Sequence, residues 1–172
     1  MNKNNISKEF IFNLFLKFHP QVVSELIGYK VEELKLEKNY FGRKIDAYTE
    51  NDYVKIFIES QLTKSDNHHL KQIKFLIDNA EKDKLTYIIW CAQSFNENMI
   101  NEIVNKIARD KKNIEFIAVK INQDMIESLE LLSQINEFKI IDNLHKLCSK
   151  NRLEIVAKYY RKFSKINSNN DE

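Results

Sequence analysis

Three side chains within the first 61 residues have the types and the spacing to hold a hard metal ion. Asp46 is followed, after a spacer of twelve residues, by Glu59-Ser60-Gln61. Alternate residues of a β-strand share a face, so Glu59 and Gln61 point the same way if their segment is extended. An acid and an amide at i and i+2 inside an otherwise apolar strand need a reason, because a sheet interior does not accept an unpaired carboxylate cheaply. If Asp46 lies on the neighbouring strand and faces the same side, two carboxylates and an amide converge. That oxygen-rich set suits Mg²⁺, a hard ion that keeps several of its waters. The plainer alternative leaves Asp46 in solvent on an edge strand and pairs Glu59 with Arg43 or Lys44.

The elements that must position these groups follow from local pattern. Arg43 to Thr49 alternates as a strand, with Ile45, Ala47 and Thr49 on one side and Lys44, Asp46 and Tyr48 on the other. Asn51-Asp52 is a turn signal, and Tyr53 to Leu62 is rich in β-branched and aromatic residues. The two runs form an antiparallel hairpin. Leu34 to Lys38 supplies a strand before it, entered through Phe41-Gly42, and this glycine marks a conformation other residues resist. Upstream, Ser7 caps a helix whose apolar stripe is Phe10, Leu14 and Phe18 with Ile11 and Phe15; His19-Pro20 ends it. A short helix from Gln21 to Ile27 follows, with Gly28 just past its end. Downstream, Ser65-Asp66 caps a helix from Asn67 to Ala80. Thr86 to Ala92 is a continuous apolar run that includes Trp90, as in a strand buried on both faces. Asn96 to Arg109 is an amphipathic helix, and Ile114 to Ile121 a fifth strand. The strand–helix–strand–helix–strand order implies right-handed crossovers. From Asn122 onward, Met125, Leu129, Leu132 and Ile135, then Ile141, Leu144 and Leu147, then Ile155, Tyr159 and Phe163 recur at helical spacing. Phe138 to Ile141 has a short strand as its alternative. The tail, residues 167–172, is polar and reads as disordered.

The Asp46 … Glu59-x-Gln61 triplet resembles the core of the PD-(D/E)xK nuclease superfamily, with Gln61 in place of the usual lysine. The resemblance continues through Glu59-Ser60-Gln61-Leu62 and Ser65-Asp66-Asn67-His68-His69-Leu70-Lys71-Gln72, which is similar to a run found in a branch of small bacterial nuclease-like domains. Leu85 to Ala92 is similar to that branch's Ile-Trp strand. The likeness covers residues 6–121. It implies an α/β, restriction-endonuclease-like fold: a mixed five-stranded sheet flanked by helices, here with a helical C-terminal extension. With the helical spacing beyond it, the expected division is a nuclease-like core over 1–121, a helical extension over 122–166 and a disordered tail over 167–172. It also implies a metal-dependent endonuclease that hydrolyses DNA phosphodiester bonds in restriction, mobile-element or defence biology. Mg²⁺, with Mn²⁺ as substitute, would be held by Asp46, Glu59 and the backbone carbonyl of Ser60. Glu9 in the first helix is the candidate for a further acidic position, with Glu25 a weaker one; either can instead simply favour a helix. Gln61 can donate a hydrogen bond but cannot carry charge, so Lys44 and Lys64 are the nearby cations. His69 and Gln72 are candidate nucleic-acid contacts. Adjacent His68 and His69 project about 100° apart on a helix and do not suit a shared zinc ion.

Composition narrows the classes. A chain of 172 residues with 43% hydrophobic and 30% charged residues fits one domain with a substantial core. Two glycines and one proline leave little material for an all-β fold of many hairpins. The start, Met1 to Asn5, lacks an apolar stretch, so no signal peptide is expected, and there is no apolar run of about 18 residues. Cys91 and Cys148 lack metal-like spacing and read as buried thiols. These features lead us to expect a cytoplasmic protein. Between Lys139 and Lys165 stand eight Lys or Arg against two acids. There Arg161 and Lys162, beside Tyr159 and Tyr160, are candidates for nucleic-acid contact, with a solvated helix face as the alternative. Cutting both strands of a duplex is most simply done by two sites, so a C2 homodimer is expected. The competing class is a nuclease-fold protein that binds nucleic acid or a protein partner without cleaving.

Overall fold

A computed structural model describes residues 6–110, 112–149 and 153–160. Arg161, Lys162 and the polar tail lie outside them. The elements in chain order are α1 (Lys8–Phe18), α2 (Pro20–Ile27), β1 (Lys35–Tyr40), β2 (Arg43–Glu50), β3 (Val54–Ser60), α3 (Asn67–Asn79), β4 (Leu85–Ala92), α4 (Glu97–Arg109), β5 (Ile114–Ile121), α5 (Gln123–Ser133), α6 (Glu137–Leu144), a 3₁₀ turn (His145–Ser149) and β6 (Leu153–Tyr160). The six strands form one sheet in the order β1-β2-β3-β4-β5-β6. β3-β4 and β4-β5 pair in parallel, and the other three pairs are antiparallel. None of the helices among the described residues is long and apolar enough to cross a membrane.

Helices cover both faces of the sheet. Ile11, Phe12, Phe15 and Leu16 of α1 bury against Ile58, Ile89 and Val119, together with Met125 and Leu129 of α5. The expected α1 stripe is therefore rotated: Phe12 and Leu16 are in the core, while Phe18 is half exposed. On the other face, Leu70, Ile73 and Ile77 of α3 and Ile103 and Ile107 of α4 pack on Phe57, Ile88, Trp90 and Phe116. β3 and β4 are buried along nearly their whole length, as parallel central strands require.

Two expectations need correction. The sheet has six strands, and the last occupies residues expected to be helical. Leu153–Tyr160 pairs with β5, so the C-terminal extension is two helices followed by a strand of the same sheet. Ile155, Val156, Tyr159 and Tyr160 are strand-forming residues. Their alternation is disguised by a bulge: Ala118 pairs with Ala157, but Val119 pairs with Ile155. The bulge switches faces, so Leu153 packs with the α1 layer while Ala157 and Tyr159 pack with the α3 layer. The resulting spacing imitates a helix. Alternation also fails in β2. Ala47 joins the α1 layer, whereas Ile45 and Tyr48 join the α3 layer. The inversion falls at Asp46, opposite Glu37, whose φ is 54°.

The β1–β2 loop is two residues, Phe41-Gly42, with φ of 47° and 79°. Positive φ at both positions is the mark of a type I′ hairpin, whose twist matches that of the strands. A Cβ on Gly42 would meet nothing within 4 Å, so its substitution is opposed by backbone conformation alone. Gly42→Ala should lower stability by about 1 kcal/mol in a denaturant melt, with no change in the slope of the transition.

Candidate active site

Backbone pairing of β2 with β3 stops at Ala47↔Ile58, one rung short of Asp46 and Glu59. Beyond that point the carboxylates take over the backbone amides. The Ser60 N–H donates to Asp46 Oδ2 at 2.8 Å, and the Asp46 N–H is directed at the Glu59 carboxylate. The two acids are thus fixed by each other's strand, at a fork where the strands part. Glu59 is 4% exposed. Gln72 of α3 secures it from the helix side: its Nε2 donates to Glu59 Oε1 at 3.4 Å and to the Lys44 carbonyl at 3.2 Å. Gln72 Oε1 in turn accepts from Arg43 Nη1 at 3.2 Å, and the Arg43 guanidinium lies over the Phe75 ring. Glu59 is therefore held by an amide, and the pairing with Arg43 or Lys44 is replaced: Lys44 binds Glu37 at 2.8 Å.

The fork opens into a cavity of about 630 Å³ lined by Asp46, Glu59, Ser60 and Gln72, with Glu9 approaching from α1. Arg43, Lys44, Lys71, His68 and His69 complete its wall. Burial pushes the Asp46 carboxyl above its ordinary range, against the Ser60 N–H, His69 and Lys44, which favour the charged form. Burial, then the neighbouring Asp46 charge, pushes Glu59 up to about 8. Two acids forced together in a partly closed site favour a proton or a cation between them.

The structure brings most of the expected residues together. Asp46, Glu59, Ser60, Glu9, Lys44, His69 and Gln72 all line the cavity. Glu25 and Lys64 are exposed and do not. Gln61 does not line it either. Its Oε1 accepts from Trp90 Nε1 at 2.9 Å, and its Nε2 reaches the Lys64 carbonyl at 2.7 Å, Thr63 Oγ1 at 3.3 Å and Asp66 Oδ2 at 3.4 Å. An indole can only donate, so the orientation of this amide is fixed. Arg43 and Lys71 were not anticipated as part of the wall. Lys71 could have been found from its place beside His69 and Gln72 on the first two turns of one helix.

As a metal site the donor set is spare. Among the described residues no group of three or more His, Cys, Asp or Glu side chains is disposed to hold an ion. Two carboxylates are present, and Ser60 Oγ is buried without a hydrogen-bond partner in the protein. All of these donors are oxygens. The set fits a hard ion that retains water and does not fit zinc.

Comparison with known proteins assigns no family: no family model matches the chain, and no curated protein does. Among solved structures, SfsA of Pyrococcus furiosus in complex with Ca²⁺ is similar over 61% of this chain and 54% of that one, at 13% identity and a TM-score of 0.33. The likeness spans about half the length of that protein, and a similarity of this size carries no weight for fold or site.

Proposed function

We propose that the protein is a metal-dependent endonuclease of the PD-(D/E)xK type that acts on DNA. The observation that carries this reading is the pair of half-buried Asp46 and buried Glu59, opening into a cavity walled by Arg43, Lys44, Lys71 and two histidines. Acid at the centre with base at the rim is the charge pattern that a phosphodiester and a divalent ion together require. Asp46 and Glu59, with the carbonyl of Ser60, would hold Mg²⁺ or Mn²⁺, which supplies charge neutralisation and a more acidic bound water. The chain's own residues do the rest. Ser60 and Gln72 fix the carboxylates, and the Arg43 and Lys71 cations draw in the backbone of the nucleic acid. Glu9, on the same cavity wall, would orient a water. A C2 homodimer would present two such sites to the two strands of a duplex.

The second reading, a nuclease-fold protein that binds without cutting, is favoured by one observation: the residue in the usual lysine position is bonded to Trp90 and directed away from the cavity. A cleavage assay on supercoiled and linear DNA with Mg²⁺ or Mn²⁺ separates the two. Metal-dependent cutting by the wild type, reduced at least about 10²-fold in Glu59→Ala, is the expected result. DNA binding without cutting by either protein would replace the enzyme with the binder.

A further inference from the structure

Gln61 belongs to a chain of hydrogen bonds that ends in the cavity. Trp90 Nε1 donates to Gln61 Oε1, and Gln61 Nε2 approaches Asp66 Oδ2. Asp66 Oδ1 lies 2.9 Å from His69 Nδ1, and the same oxygen accepts the His69 backbone N–H at 2.9 Å. Burial opposes ionisation of Asp66, but the His69 backbone and ring bonds outweigh it and hold the carboxyl below its ordinary range. Asp66 is then an acceptor only, so the proton on Nδ1 belongs to His69. In the neutral ring the lone pair is left on Nε2, on the opposite edge, and the His69 ring lines the cavity that holds Asp46 and Glu59. A cap alone needs only the backbone bond to Asp66. The ring bond adds orientation, the role a carboxylate plays behind a basic histidine, here from a half-exposed Asp66.

We propose that His69 is the proton acceptor of the reaction and that Asp66 and Gln61 are positioning residues acting through it. This rests on the nuclease reading above. As the oxygen of the attacking water bonds to phosphorus, its proton passes to His69 Nε2. The electron pair of the breaking P–O bond goes to the leaving oxygen, which takes a proton from solvent, and the imidazolium then returns its proton to solvent. Gln61 is thus part of the support of the base, which accounts for an amide where a lysine is usual.

Steady-state cleavage by wild type, His69→Gln and Asp66→Asn tests this. Asn remains a good helix cap, so the second variant keeps α3 in place. His69→Gln should lower kcat about 10²–10⁴-fold with KM little changed, and a substrate with sulfur as the leaving atom should not restore it. Asp66→Asn should lower kcat by a smaller factor. A His69→Gln variant that keeps its kcat, or loses only KM, overturns the proposal and leaves the nuclease reading intact. Rescue by the sulfur leaving group would make His69 an acid and also overturn it. A wild type that cuts with neither metal overturns the nuclease reading itself, and with it His69 as proton acceptor. The positioning can be read independently of activity from the ¹⁵N spectrum of metal-free wild type. Neutral His69 protonated on Nδ1 is expected, and an Nε2–H tautomer overturns the relay.

Discussion

Glu59→Gln should abolish divalent-metal binding and, in chelator, leave a protein more stable than wild type above about pH 8. Glu59 titrates near its ordinary 4.5 in the unfolded chain and is pushed up to about 8 in the folded one. Between those values folding takes up a proton. The stability this contributes is fully present below the unfolded value and is lost as pH rises through about 8. Asp46, also raised, acts in the same direction. The wild type should therefore lose on the order of a few kcal/mol between pH 5 and pH 9. The glutamine amide is isosteric and neutral. Its oxygen can keep the bond from Gln72. Urea melts at pH 5, 7 and 9, with a calorimetric titration of Mg²⁺ or Mn²⁺ alongside, would check both halves. Parallel pH curves for the two proteins would show that Glu59 does not titrate in this range.

Gln61→Lys should lose stability without gaining activity. The substitution would complete the PD-(D/E)xK pattern that the sequence resembles, so a reading by motif predicts a faster enzyme. The environment predicts the reverse. Gln61 is 2% exposed and is the acceptor for Trp90 Nε1. Lysine offers no acceptor, so the buried indole N–H loses its partner while an ammonium enters beside it. Loss of about 2–4 kcal/mol follows from one orphaned donor and one partly compensated charge. The new side chain would also point toward the Thr63–Asp66 turn and away from the carboxylates. Chemical denaturation together with cleavage rates decides the matter, and a Gln61→Lys protein that is faster than wild type would refute this account of Gln61.

The contrast between these two positions shows what could be read from the sequence. The β2–β3 hairpin and the arrival of Gln72 were legible because they depend on strand-forming runs, a turn signal and the start of one helix. The role of Gln61 was not. It is set by Trp90, on a parallel strand one crossover away, and no local pattern encodes that contact. The last strand was hidden for a different reason. A single bulged residue at Val156 turned period two into an imitation of the helical period. In β2 the inversion of faces at Asp46 moved Ile45 to the opposite layer, which strict alternation could not anticipate. Asp66 and His69 stand three residues apart on a helix start, so their bond was available in principle, but the backbone cap accounts for Asp66 and conceals its second use.

The fork between β2 and β3 carries an evolutionary consequence. Two acids keep the strands one rung short of full pairing, with side chains standing in for the backbone ladder. Neutral residues at positions 46 and 59 would relieve the crowded charge and allow the hairpin to zip further. On the nuclease reading, loss of activity would then be downhill in free energy. Catalytic descendants would have to be kept so by selection, while silent ones would drift toward greater stability, retaining the basic cavity wall as a binding surface.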